Sequence, residues 1–203
     1  MSNIINAGLA LNEAKKVAIM IHGRGGTAKS ILSLEQSLNL EDFALIAPQA
    51  PGNTWYPYSF MAPDKNNEPS FSNSIEAIDG VIQDLKAKGF STEQIFILGF
   101  SQGACLSLEY AAQNAAKYGG VVAFTGGLIG EHVKEEKYKG DFGGTPVFIG
   151  SGFKDPHVPL SRIKQSQELL SRMGATVKTF IFEDFEHTIR QEEVDWVNEH
   201  ILK

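Results

Sequence analysis

Apolar residues along this chain follow two rhythms. Short unbroken runs, such as Val17-Ala18-Ile19-Met20-Ile21 and Ile95-Phe96-Ile97-Leu98, fit strands covered on both faces. Between the runs, apolar positions recur three or four apart, as in Ile75, Ile78, Val81, Ile82 and Leu85, which fits a helix with one packed face. The pattern predicts strands over 16–21, 43–47, 94–98, 120–125, 146–150 and 176–182, with a short extended segment at 9–11 before them. It predicts helices over 28–38, 74–88, 104–117, 160–173 and 188–201, with Gly89 and Gly174 placed to end two of them. Pro48 and Pro51 stop the second run, and an irregular stretch follows over 49–72. Residues 131–139 are strongly charged and read as an exposed loop or short helix. Strand and helix alternate through the whole length, which is the signature of an α/β fold with a mostly parallel sheet between two helical layers. In such sheets ligands bind beyond the carboxyl ends of the strands.

One of those ends is distinctive. The run Gln94-Ile95-Phe96-Ile97-Leu98 passes through Gly99-Phe100-Ser101-Gln102-Gly103 directly into a segment of good helix formers beginning at Ala104. A serine on so sharp a strand-to-helix turn is lifted clear of the sheet, with glycine on either side leaving room for the tight backbone and for a substrate. The pentapeptide pattern alone arises by chance in roughly one chain in ten of this glycine content. Its setting between strand and helix is what predicts acyl-transfer chemistry.

A serine hydroxyl needs a base, and the base needs an orienting acceptor. Of His22, His132, His157, His187 and His200, His187 follows the last strand on a loop at the same sheet edge as Ser101. His132 and His200 read as surface residues, and His22 as a brace for its glycine-rich turn. Asp155 follows the 146–150 strand at that edge, giving the order Ser, Asp, His. Asp184 is the rival acceptor, but three residues from His187 it would need a cramped turn. Asp141 precedes its strand and belongs to the opposite edge. The oxyanion formed on attack needs backbone donors. Gln102 N–H, directly after the nucleophile, is one candidate, and Arg24 N–H, in His22-Gly23-Arg24-Gly25-Gly26, is the other. That turn lacks the Lys-Ser/Thr of a P-loop and the glycine spacing of a dinucleotide site. Trp55, Tyr56, Tyr58, Phe60 and Met61, in the irregular stretch, either line an apolar substrate pocket or anchor a long loop.

Composition narrows the setting. The 203 residues fit one domain, residues 1–203, and 42% hydrophobic content is that of a globular protein. Eighteen basic against twenty-four acidic residues give a net charge of −6, which disfavours nucleic acid and anionic membrane as partners. No apolar run is long enough to span a bilayer, and Met1 to Asn6 show neither the basic nor the apolar region of a secretory signal. A lone cysteine, Cys105, cannot form an internal disulfide and reads as a small core residue, which suits a reducing compartment and a cytoplasmic enzyme. The chemistry calls for no cofactor, and no Cys/His cluster has metal-ligand spacing.

The chain resembles the phospholipase/carboxylesterase family of α/β-hydrolases, which includes acyl-protein thioesterases and compact bacterial esterases. The resemblance covers nearly the whole sequence and rests on His22-Gly23-Arg24-Gly25-Gly26, Ala47-Pro48-Gln49-Ala50-Pro51, Gly99-Phe100-Ser101-Gln102-Gly103, Asp155-Pro156-His157-Val158-Pro159 and the His187 loop. It implies an α/β-hydrolase fold without a large cap domain. It also implies Ser101 as nucleophile, His187 as base, Asp155 as orienter, and Arg24 and Gln102 amides as the oxyanion hole. Arg24 and Gly26 stand where the thioesterase branch typically has Leu and Asp, which points to the bacterial carboxylesterase branch. The expected activity is hydrolysis of small or medium-chain carboxylic esters through an acyl-enzyme. Thioesterase or lysophospholipase activity on the same triad is the alternative, and a non-catalytic binding module the remote one. A dienelactone-type hydrolase would carry cysteine at the elbow. The family also admits homodimers.

Overall fold

The computed structural model describes residues 3–203. Seven strands form one sheet: β1 (Ile4–Gly8), β2 (Lys16–Ile21), β3 (Phe43–Pro48), β4 (Ile95–Phe100), β5 (Gly120–Phe124), β6 (Pro146–Gly152) and β7 (Thr176–Phe182). Their spatial order is β1-β3-β2-β4-β5-β6-β7, parallel throughout except that β1 runs antiparallel to β3. The helices are α1 (Ala28–Leu32), α2 (Asp64–Asn67), α3 (Ser70–Ala87), α4 (Gln102–Gln113), α5 (Leu160–Arg172) and α6 (Gln191–His200). This is the α/β-hydrolase fold. None of the described helices is long and apolar enough to cross a membrane.

Alternation along the buried strands divides the core between the two faces of the sheet. Ile19, Ile97, Val121 and Ile149 point to the face covered by α3, α4 and α5, where Ile78, Leu85, Leu106, Ile163 and Leu170 meet them. Met20, Leu98, Val122 and Phe148 point to the other face, against Ile31 and Leu32 of α1 and Val194 and Val197 of α6. α4 is the most enclosed helix, with every residue from Gln102 to Ala112 buried.

Several boundaries differ from the sequence expectation. The first strand lies at Ile4–Gly8 rather than at 9–11, because its pairing partners are the backbone groups of β3. The helix expected over 28–38 leaves α geometry after Leu32 and continues as a 3-10 turn, Ser33–Gln36. The irregular stretch contains α2, and α3 begins at Ser70, four residues earlier than expected. α4 stops at Gln113 and α6 begins at Gln191.

Candidate active site

Ser101 stands between β4 and α4 with φ 55° and ψ −116°, a strained conformation for a residue with a side chain. Its N–H donates to Phe124 O at 2.9 Å, and its C=O accepts from Cys105 N at 3.0 Å, so the turn is tied to β5 and to the helix it starts. The flanking glycines serve packing inside the protein. A Cβ on Gly103 would strike the Ile21 and His22 carbonyls of β2 and its following turn, and one on Gly99 would strike the Gly103 carbonyl. Only hydrogen at these two positions lets α4 rest directly on the sheet.

The loops after β6 and β7 bring two more side chains to the serine. The Ser101 hydroxyl lies 2.7 Å from His187 Nε2, and His187 Nδ1 lies 2.8 Å from Asp155 Oδ2. A carboxylate can only accept, so Nδ1 carries the proton and Nε2 offers its lone pair to the serine O–H. The other oxygen, Asp155 Oδ1, accepts the amides of His157 at 2.7 Å and Val158 at 3.0 Å, which fixes the carboxylate plane. Asp155 is buried and His187 half-buried, with Phe100 and His157 packed against the imidazole. Arg190 laces the His187 loop: its guanidinium grips Asp184 through two bonds, at 2.6 and 3.1 Å, and Glu186 O at 2.9 Å. Asp184 is thereby committed to Arg190, whose hydrogen bonds hold its carboxyl below the usual range, and it makes no bond to His187.

The two amides expected to face an oxyanion are both at the cleft. Gln102 is the first residue of α4, so its N–H has no partner inside the helix. Arg24 N–H takes no part in the bonds that close its turn, which run from Gly25 N to Asn53 O and from Gly26 N to Gly23 O. His22 supports that turn from below. Its Nδ1 donates to Gly23 O at 2.8 Å, and its Nε2 accepts from Ala50 N at 3.1 Å. This is a neutral imidazole, and burial lowers its pKa in the same direction. Gln49 completes the support by accepting the Ala28 amide and donating to His22 Nε2.

A cleft of about 620 Å³ opens over Ser101. Tyr56, Tyr58 and Phe60 line it; Trp55 and Met61 do not. Trp55 is turned inward, 2% exposed, and donates its indole N–H to His22 O at 2.9 Å. Met61 faces a separate depression beside Glu131 and Arg172. The segment is therefore both anchor and wall. Buried Cys105 also lines the cleft beside Tyr56, and desolvation pushes its thiol pKa up to about 12.

Several side-chain roles at the site carried no sequence signal. The Gln102 side chain accepts the Trp55 amide at 2.8 Å and donates to Tyr56 O at 2.8 Å. The Arg24 guanidinium donates to Thr54 Oγ1 at 3.2 Å, Pro57 O at 2.8 Å and Tyr58 O at 2.6 Å. The two residues expected to supply oxyanion amides thus hold the aromatic wall with their side chains. At the wall's far end, Gly130 N donates to Phe60 O, and the 128–131 segment is itself gripped by buried Arg162 and Glu109. His157 and Val158 border the cleft beside His187.

Fold and site together define an α/β-hydrolase. A family model described as Phospholipase/Carboxylesterase matches residues 9–203, and the chain belongs to that family. Among curated relatives, acyl-protein thioesterase 1 of Saccharomyces cerevisiae is 30% identical over 182 residues, covering 78% of each chain. The crystal structure of a phospholipase/carboxylesterase from Dyadobacter fermentans superposes with a TM-score of 0.98 at 49% identity, covering 100% of this chain and 97% of that one. The Bacillus cereus carboxylesterase shares the fold, with a TM-score of 0.79 at 17% identity over 98% of this chain and 92% of its own. The protein is a hydrolase of the carboxylesterase and acyl-protein thioesterase type.

Proposed function

We propose that the protein is a serine carboxylesterase that cleaves short to medium-chain carboxylic esters through a covalent acyl-enzyme. The observation that carries this reading is the unbroken chain of hydrogen bonds from Ser101 Oγ through His187 to Asp155. Ser101 attacks the ester carbonyl as His187 Nε2 takes its proton, and Asp155 stabilises the imidazolium that results. The carbonyl oxygen becomes an oxyanion held by the Arg24 and Gln102 amides, each worth roughly 3–4 kcal/mol in the transition state. His187 then protonates the departing alcohol. Water, deprotonated by the same imidazole, attacks the acyl carbon and releases the acid and the serine. All the groups involved sit at one edge of one sheet, so a single folding unit is enough for this chemistry.

The preference for shorter acyl groups is supported by the size of the cleft, about 620 Å³, with Tyr56, Tyr58, Phe60 and Cys105 among its walls. Thioester hydrolysis is the second reading, favoured by the likeness to the yeast relative named acyl-protein thioesterase 1. A series of p-nitrophenyl esters of increasing chain length, run beside matched thioesters, tests both. Turnover should peak on short to medium oxygen esters and vanish in Ser101→Ala. A peak on the longest chains, or faster cleavage of every thioester than of its oxygen counterpart, would overturn the preferred reading.

A further inference from the structure

We infer that the ester this cleft takes carries an anionic group, a carboxylate or a phosphate, close to the bond that is cleaved. The inference rests on the esterase reading above and specifies its substrate. The chain as a whole is acidic, with twenty-four carboxylates against eighteen cationic side chains. The cleft over Ser101 departs from that average: no Asp or Glu lines it, whereas Arg24 does. The one carboxylate beside it, Asp155, is buried, and both its oxygens are engaged inward by His187 and by the amides of His157 and Val158.

Arg24 is the centre of the argument. Its three hydrogen-bond partners, Thr54 Oγ1, Pro57 O and Tyr58 O, are all neutral. Among the described residues no carboxylate forms an ion pair with it. The oxygens therefore fix the guanidinium in place without cancelling its charge. They engage three of its five N–H groups and leave two for a ligand oxygen. A cation held still before the ligand arrives costs little entropy to use. The amino end of α4 points at the same space and adds its own partial positive charge. A neutral ester would leave this charge unused, since the oxyanion already has two backbone donors.

The test compares esters matched in size but not in charge. On the acyl side, p-nitrophenyl hemiglutarate is paired with p-nitrophenyl pentanoate; on the alcohol side, acetyl glycolate with ethyl acetate. Each kcat/KM is divided by the ester's own hydroxide-catalysed rate. In at least one pair the anionic ester should be favoured about three- to fivefold at low ionic strength. That gap should close at high salt, shrink in Arg24→Gln and persist in Arg24→Lys. Cleavage of the neutral esters with no gain for either anionic partner would overturn the inference and leave the esterase reading standing. A persisting gap in Arg24→Gln would remove Arg24 as its source. Failure to cleave any of the four esters would overturn both.

Discussion

Asp155→Asn changes one atom at the point where the imidazole is oriented. The remaining amide oxygen can still accept from His157 and Val158, so the loop after β6 keeps its shape. The new NH2 then faces His187 Nδ1, where an acceptor stood, and favours the tautomer with its proton on Nε2, pointing at the serine. We expect kcat to fall about 10⁴-fold with the thermal unfolding midpoint little changed. A loss under tenfold would mean that Asp155 does not orient the base. The convergence of these three residues was legible in sequence because each falls within five residues of the end of a predicted strand, and parallel strands bring such positions to one edge. The wall was less legible. An irregular segment has no period to say which of Trp55, Tyr56, Tyr58, Phe60 and Met61 faces inward, and hydrogen bonds to His22 and Gln102 decide it.

At the scale of elements, the elbow and the aromatic wall form one assembly. Gln102 contributes its amide to the cleft and spends its side chain on Trp55 and Tyr56. Gln102→Met keeps the amide and most of the volume but removes both wall bonds, worth about 1 kcal/mol each. The loosened wall should raise KM for medium-chain esters about tenfold, with kcat within about threefold. An equal fall in kcat on all chain lengths would instead place the side chain's effect on the oxyanion hole. The sequence marked Gln102 only for its N–H, since side-chain partners that lie forty-six residues away leave no local pattern. The first strand was expected at 9–11 rather than at Ile4–Gly8 for a related reason. Ile4–Gly8 lies at the sheet edge with most of its residues exposed, so burial imposes no strong pattern on it, and β3 supplies its register.

At the scale of the whole molecule, the mostly parallel sheet and the two-faced core followed from the strand and helix rhythms, but a buried carboxyl group did not. Glu193, on α6, accepts the Arg190 amide with one oxygen; the other has no hydrogen-bond partner and fills the space that a Cβ on Gly150 of β6 would need. Burial, the largest cause, raises its pKa from the ordinary 4.5 to about 7. The folded state therefore binds more protons than the unfolded chain between those values. Stability contributed here is present below about pH 4.5 and is lost as pH rises through about 7, by roughly 3 kcal/mol. Glu193→Gln should remove that loss. Urea unfolding should show the variant matching the wild type in acid, drawing ahead between about pH 4.5 and 7 and keeping that lead above, whereas parallel pH curves throughout would contradict the assignment.

The covalent intermediate is the most direct test of the central claim. Wild-type protein mixed with p-nitrophenyl acetate and quenched in acid within the first turnover should carry one added acetyl group. Fragment masses should place it on Ser101, and in Ser101→Ala it should be absent. An acetyl group on another residue, or steady hydrolysis by Ser101→Ala at the wild-type rate, would contradict the account.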